Sequence, residues 1–337
     1  MTQRSAAAAA FLATTDWRDA AQTMLAGDAS NRKYFRLHRP NSGETAVLMD
    51  AAPDTGEDVR PFVKIATHLS AMGLSAPRIL AQDLSHGFLL LEDLGDALFA
   101  RVVATTPAME EPLYQAATDV LTTLHKQPLP DLAPYSPAYM AQMAGLAWGW
   151  YAQHAAGPDP QAQAAFEAAF LPILNSLENS AEVLIQRDYH AENLLWLPHR
   201  QGVARVGLLD FQDAMAGHRA YDLVSLLQDA RRDVSPQIEA QMITRYIETN
   251  QLDRDSFTKA YAVLGAQRNL RIMGVFARLC LRDAKPHYIA LMPRVWGLLQ
   301  RDLRHPALAP VRALIDTSLP SPTPDILETL IAQCPTR

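Results

Sequence analysis

An Asp188-x4-Asn193 pair, followed seventeen residues later by Asp210, sets three oxygen-bearing side chains at the ends of short apolar runs. Moving a phosphoryl group from ATP to an alcohol calls for such residues. Mg2+ must neutralise charge on the phosphates, and it prefers hard oxygen ligands of the kind that a carboxylate and an amide carbonyl supply. Asp210 and Asn193 suit that work. A second carboxylate must orient the attacking hydroxyl and take its proton, and Asp188 suits that. The plainer reading makes Asp188 and Asn193 turn caps and Asp210 a helix cap. A lone Asp-x4-Asn occurs by chance. Here it lies between two apolar runs, and a further run ends in Leu209-Asp210-Phe211, which favours the catalytic reading.

Such residues need a scaffold, and the pattern of the chain indicates which. Residues 21–26, 33–38 and 45–50 are short strand-like stretches parted by polar turns. A helix is expected from Pro61 to Gly73, through Phe62, Ile65, Ala66 and Leu69. Strands follow at Ile79-Leu80 and at Phe88–Leu91, before Glu92-Asp93-Leu94-Gly95. Beyond residue 97 the periodicity is mainly helical, near 109–126, 138–154, 160–178, 220–230, 236–250, 254–270, 271–283 and 287–303, with a last short helix after Asp325. Val183–Ile185, Leu194–Leu197 and Val206–Leu209 interrupt it as short strands around the Asp188 loop, giving an embedded β-hairpin. The expected fold class is α+β: a two-lobed, protein-kinase-like fold with a small β-rich lobe at 1–94 and a large, mainly helical lobe at 95–337.

Composition bounds the rest. With 337 residues, 49% apolar and 20% charged, the chain reads as soluble and well cored. A net charge of −6 gives no basic field for nucleic acid or an anionic membrane. The alanine-rich stretch Ala6–Ala10 reads as a first helix rather than a signal peptide, because Asp16, Trp17 and Arg18 follow at once. Cys280 and Cys334 make no disulfide framework or zinc motif, and a reducing cytoplasm is expected. Of 30 basic residues only five are lysines, at positions 33, 64, 126, 259 and 285.

The motif residues together with Gly27–Arg36, Val47–Ala51, Phe88–Gly95, Leu209–Ala214, Tyr221–Arg232 and the stretch from Gln267 to Tyr288 resemble the aminoglycoside phosphotransferase/choline kinase family. They are most similar to its bacterial anomeric N-acetylmuramate/N-acetylglucosamine kinases, over about residues 5–335. The resemblance implies an ATP- and Mg2+-dependent kinase. Its reaction would phosphorylate the C1 hydroxyl of the amino sugar to the α-1-phosphate, for cell-wall precursor recycling. Position by position, Asp188 resembles the catalytic base, and Asn193 and Asp210 the metal ligands. Glu92 to Gly95, with Glu92 and Leu94, resembles the adenine-binding hinge. Gly27 to Arg32 resembles the phosphate-covering loop, with Ser30, Asn31 and Arg32 as contacts. Asp222 resembles a structural aspartate that braces the catalytic loop.

Two departures stand out. Gln186 replaces the usual histidine two residues before the base, and an amide can serve the same bracketing role. The third strand, Ala46–Asp50, lacks the lysine that contacts the α/β phosphates and pairs with a helix glutamate. Lys64, Arg32 or Lys33 would then meet phosphate, unless the lysines are simply solvated surface charges. On the acceptor side, Gln212 and Asp213 follow the metal ligand and can reach sugar hydroxyls. Arg268 and Arg271 share one helix face and would suit the lactyl carboxylate of N-acetylmuramate; alternatively both pair with acidic surface neighbours. Trp148, Trp150 and Tyr151 read as core, and His125 as a packed or capping residue. Other readings are a kinase of another small alcohol such as an aminoglycoside, and a nucleotide-binding pseudokinase scaffold. A small-molecule partner and a monomer are expected, without nucleic acid or membrane.

Overall fold

The computed structural model describes residues 3–25, 31–40, 42–177 and 182–335. In chain order the elements are α1 (Gln3–Ala13), β1 (Ala21–Leu25), β2 (Lys33–His38), β3 (Thr45–Asp50), α2 (Arg60–Ala71), β4 (Ile79–Asp83), β5 (Phe88–Glu92), α3 (Phe99–Thr105), α4 (Glu110–Leu124), α5 (Pro137–Leu146), α6 (Gln153–Ala156) and α7 (Pro160–Asn175). Then come β6 (Val183–Ile185), β7 (Leu194–Trp196), β8 (Val206–Leu208), β9 (Met215–Gly217), α8 (Ala220–Leu227), α9 (Pro236–Thr249), α10 (Arg254–Leu281), α11 (Met292–Asp302), α12 (Ala309–Ser318) and α13 (Pro324–Ala332). They form two compact units, Met1–Gln127 with Ala191–Ala214, and Pro128–His190 with Met215–Arg337. Among the described residues no helix is long and apolar enough to cross a membrane.

In the first unit, five antiparallel strands run in the order β1-β2-β3-β5-β4. The period of two along each strand decides what the sheet buries. Ala46 and Leu48 of β3, Leu37 of β2, and Phe88 and Leu90 of β5 fall on one face, where Phe11 and Leu12 of α1 and Trp17 cover them. β3 and β5 are buried on both faces, so Phe88–Leu91 reads as an unbroken apolar run. The strand–strand–strand–helix–strand–strand order and the first helix agree with the sequence pattern.

The second unit is built around α10, which packs on α5, α8 and α11. The sequence pattern divided this stretch into helices at 254–270 and 271–283; it is one helix of 28 residues. Gly274 does not break it. A Cβ there would come within 2.3 Å of the Leu146 carbonyl carbon, so the glycine marks the close approach of α5 rather than a helix end. The short strands pair as β7 with β8 and β6 with β9. β9, α3 and α12 have no counterpart among the expected elements. Trp148 and Tyr151 are core, as their apolar helix suggests. Trp148 stacks on Phe166 at 4.4 Å, its indole N–H donates to Ser318 Oγ, and the Tyr151 hydroxyl donates to the Pro320 carbonyl.

Candidate active site

Asp188 lies in the loop that follows β6, and Asp222 fixes that loop. Asp222 sits in the first turn of α8 and is fully buried. Its Oδ2 accepts the Gln186 backbone N–H at 2.7 Å and its Oδ1 that of Arg187 at 2.9 Å. One turn on, Ser225 Oγ donates to the Arg187 carbonyl at 3.1 Å. Burial pushes the Asp222 carboxyl up to about 7, while the two N–H donors pull the other way. Gln186 thus meets the brace through its backbone. Its side-chain Nε2 is buried with no hydrogen-bond partner among the described residues, so the amide nitrogen does not supply the bracket expected of it.

The electrostatics of this loop favour an ionised base. Burial raises the Asp188 pKa, but Arg271, His190, Arg268 and Arg187 together hold it below its ordinary value. Asp188 is half-buried, and a carboxylate kept charged there is ready to accept a hydroxyl proton. Arg268 is not a surface residue, and Arg271 is half-buried. Arg268 is 3% exposed, its Nη1 donates to the Gln228 carbonyl at 3.3 Å, and its field reaches Asp188. Behind it lies a polar cluster that the sequence pattern did not disclose. Asn269 Nδ2 donates to Gln228 Oε1 at 2.8 Å, and both amides donate to Asp302 at 2.9 and 3.1 Å. Burial pushes the Asp302 carboxyl up to about 8. The missing Cβ of Gly265 makes room for it, since a Cβ would lie 2.4 Å from Asp302 Oδ2.

Two neutral histidines flank the loop, His190 within it and His218 at the start of α8. Nδ1 of His218 accepts the Ala220 N–H at 3.1 Å, and Nε2 of His190 faces Arg231 Nη1 at 3.3 Å. Burial, aided by Arg219, pushes His218 down to about 4. Burial does the same to His190, to about 4, although Asp229 and Asp188 pull upward. Both folded-state values lie below the unfolded value of about 6.5. The stability they contribute is therefore complete above that pH and is lost as pH falls toward 4. Unfolding free energies from urea titrations should fall over that window, by about 3 kcal/mol per histidine at most. His218→Asn, which keeps a capping acceptor, should flatten the slope; an unchanged slope would exclude His218 as its source.

In the first unit, the β7–β8 ladder brings Asn193 and Asp210 together. Leu194 pairs with Leu208, and the Asn193 carbonyl accepts the Leu209 N–H at 2.9 Å. Asn193 Nδ2 then lies 3.4 Å from Asp210 Oδ2, and a half-turn of the amide presents its oxygen instead. Asp210 is exposed at a φ of 56°. Gln212 Nε2 donates to Asp210 Oδ1 at 2.7 Å, so Gln212 is turned onto the carboxylate. Phe211 is buried against Phe62 of α2, with ring centroids 4.9 Å apart. One carboxylate and one amide are hard oxygen donors that fit Mg2+, which keeps several waters and takes substrate phosphates as its remaining ligands. No group of three or more His, Cys, Asp or Glu gathers as a metal site among the described residues.

The lysine-free third strand ends in Asp50, which is buried and accepts Arg4 Nε of α1 at 2.7 Å. Lys64 is exposed on α2. Arg32, just before β2, pairs with Glu57, ahead of α2, at 2.7 Å with both side chains only 14% exposed. Asn31 Nδ2 donates to the Thr55 carbonyl at 3.4 Å, joining the same two segments. Burial opposes the Arg32 charge, but Glu57, Tyr34 and Asp213 together raise its pKa. Asp213 itself is exposed. Ser30 and the rest of residues 26–30 lie outside the described residues.

Along Glu92–Gly95 the side chains are engaged, and the Glu92 N–H donates to the Arg78 carbonyl at 2.8 Å. Glu92 accepts Arg200 at 2.6 Å and Arg78 at 3.3 Å, and Arg200 also donates to Ser75 Oγ at 2.6 Å. Arg36 joins Asp93 at 2.7 Å and Asp96 at 2.8 Å. Asp93 Oδ1 takes the Gly95 N–H at 2.9 Å, turning the chain at a φ of 82°. Leu94 is half-buried, and its Cδ1 would lie 3.1 Å from a Cβ on Gly207, so the short residue of β8 makes room for it.

Residues 22–257 match the phosphotransferase enzyme family. A kinase of Caulobacter vibrioides named N-acetylmuramate/N-acetylglucosamine kinase is 41% identical, covering 95% of this chain and 98% of that one. A kinase of the same name from Pseudomonas aeruginosa is 34% identical over 87% of each chain. Among solved structures, a microcompartment-associated aminopropanol kinase superposes with a TM-score of 0.62 at 15% identity, covering 90% of this chain and 99% of that one. At that identity it speaks for the kinase-like fold alone.

Proposed function

The chain belongs to the phosphotransferase enzyme family and is an ATP-dependent kinase of a small alcohol, and from that premise we propose that its acceptors are N-acetylmuramate and N-acetylglucosamine. The reaction is phosphorylation of the anomeric C1 hydroxyl to the α-1-phosphate, serving reuse of cell-wall precursors. The observation that carries the reading is the loop around Asp188, a half-buried carboxylate whose pKa neighbouring arginines hold down. Three arginines there suit an acceptor that bears a carboxylate and repel a polycation such as an aminoglycoside.

In this reading Asp188 orients the C1 hydroxyl and takes its proton as the oxygen attacks the γ-phosphorus. The bond from that phosphorus to the bridging oxygen breaks, and ADP leaves. Asn193 and Asp210 hold Mg2+, which when bound neutralises charge on the phosphates. Gln212 orients the Asp210 carboxylate, as its 2.7 Å bond suggests, and competes with that role if it reaches sugar. Arg32, with Ser30 and Asn31, meets phosphate in place of the absent strand lysine, and Lys64 adds longer-range charge. The backbone from Glu92 through Leu94 reads adenine. Asp213 contacts sugar hydroxyls, and Arg268 and Arg271 favour the lactyl carboxylate. Residues 1–94 form the ATP-binding lobe and 95–337 the catalytic and acceptor-binding lobe. The enzyme acts as a cytoplasmic monomer, a setting that suits its free thiols at Cys280 and Cys334.

ATP consumption against N-acetylmuramate, N-acetylglucosamine, choline and an aminoglycoside tests the reading. Turnover should be confined to the two amino sugars. Turnover of choline or the aminoglycoside with neither amino sugar used would overturn it.

A further inference from the structure

Arg187, one residue before Asp188, has a backbone φ of 72°. This is the left-handed region, which glycine adopts freely and a long side chain adopts only at a cost. The backbone is held there from both sides, its N–H donating to Asp222 at 2.9 Å and its carbonyl accepting from Ser225 at 3.1 Å. Glycine would satisfy the same two bonds without strain. The clamp thus explains the conformation but not the arginine, and the explanation must lie in the side chain.

The guanidinium lies over the Tyr135 ring, 5.5 Å from its centroid. Tyr135 is a rigid platform: it is 3% exposed and meets Tyr221 and Tyr139 edge-on at 5.2 and 5.5 Å. Gln267 Nε2 adds a hydrogen bond to its hydroxyl at 3.2 Å. An arginine stacked on a fixed ring keeps its planar fork of donors preorganised for a carboxylate. Arg268, by contrast, is buried, with its Nη1 donating to the Gln228 carbonyl at 3.3 Å. Arg187 is only half-buried, and its place next to the base sets it beside whatever hydroxyl Asp188 addresses.

We propose that Arg187 is a specificity-determining residue whose guanidinium, stacked on Tyr135, binds the carboxylate that distinguishes N-acetylmuramate from N-acetylglucosamine. The proposal rests on the functional reading above. Arg268 and Arg271 then supply a supporting field, and Arg187 makes the directional contact. The loop tolerates a strained backbone because the residue at this position must carry that fork.

The test is kcat/KM for both sugars in the wild-type enzyme and in Arg187→Gly, Arg187→Asn and Arg187→Lys. Glycine and asparagine both accept the left-handed backbone, so at least one neutral variant should fold, as judged by circular dichroism and Tm. The N-acetylmuramate to N-acetylglucosamine ratio of kcat/KM should fall about tenfold or more in the neutral variants, about 1.4 kcal/mol. Arg187→Lys, which keeps the charge but loses the fork, should lie between. Each sugar serves as the other's control for any disturbance transmitted to Asp188. Two active sugars whose ratio stays within about twofold of wild type in the neutral variants overturn the assignment alone. A wild-type enzyme that uses neither sugar overturns the functional reading, and this assignment with it.

Discussion

Asp188→Asn should lower kcat by roughly 10²–10⁴-fold, the range for losing a positioned general base. Asparagine has nearly the same shape, so the loop should keep its place. Asp222 and Ser225 fix the loop through the backbone of Gln186 and Arg187. What the substitution removes is the proton acceptor and the negative charge that Arg271, Arg268 and Arg187 face. A kcat within about tenfold of wild type, measured in single turnover, would exclude Asp188 as the base. The pH profile gives a second readout. Those arginines hold the Asp188 pKa below its ordinary value, so the acid limb of kcat should lie below the ordinary carboxylate range. A limb starting near pH 6 would point to a different titrating group.

How far the sequence discloses this site depends on which interactions are local. Asn193 and Asp210 are legible because each ends a short apolar run, and pairing those runs must bring the two side chains together. The β-meander is legible for the same reason, since its strands are neighbours in sequence and their turns carry polar, Gly-containing signals. β9 is not legible: three residues, Met-Ala-Gly, have no strand signal of their own, and they become a strand only by pairing with β6. α10 is one helix where the pattern suggests two, at 254–270 and 271–283, and only the nearness of Leu146 explains why glycine stands at 274.

The cations show the same limit. The spacing of Arg268 and Arg271 sets them on one helix face but says nothing about whether that face is wet or buried. The polar cluster of Gln228, Asn269 and Asp302 joins α8, α10 and α11 across tens of residues, and no local pattern announces it. The strand lysine is missing in the sequence, but the pairing of Arg32 with Glu57 joins residues 25 apart and appears only in three dimensions. Arg187 shows nothing in sequence either, because its distinction is a backbone angle.

Asp210→Asn should cost about 10³-fold in kcat/KM for MgATP, since a metal ligand charge is worth several kcal/mol in the transition state. The backbone argument makes this a clean substitution. Asp210 sits at a φ of 56°, and asparagine is among the few residues that accept that region. The register that fixes it, with Leu194 opposite Leu208 and the Leu209 N–H on the Asn193 carbonyl, does not involve its side chain. What changes is the charge that now accepts donors from Gln212 at 2.7 Å and Asn193 at 3.4 Å. A neutral amide leaves the metal one carboxylate short, so the Mg2+ concentration for half-maximal rate should rise, and saturating Mg2+ or Mn2+ should recover part of the loss. A purely structural role would lower Tm and leave the metal requirement where it was. An unchanged metal requirement in a folded Asp210→Asn enzyme would remove Asp210 from the ligand set. Gln212→Ala grades the same argument: with Asp210 intact but one donor gone, the rate should fall by a smaller factor, about 10- to 100-fold, as for residues that orient a ligand.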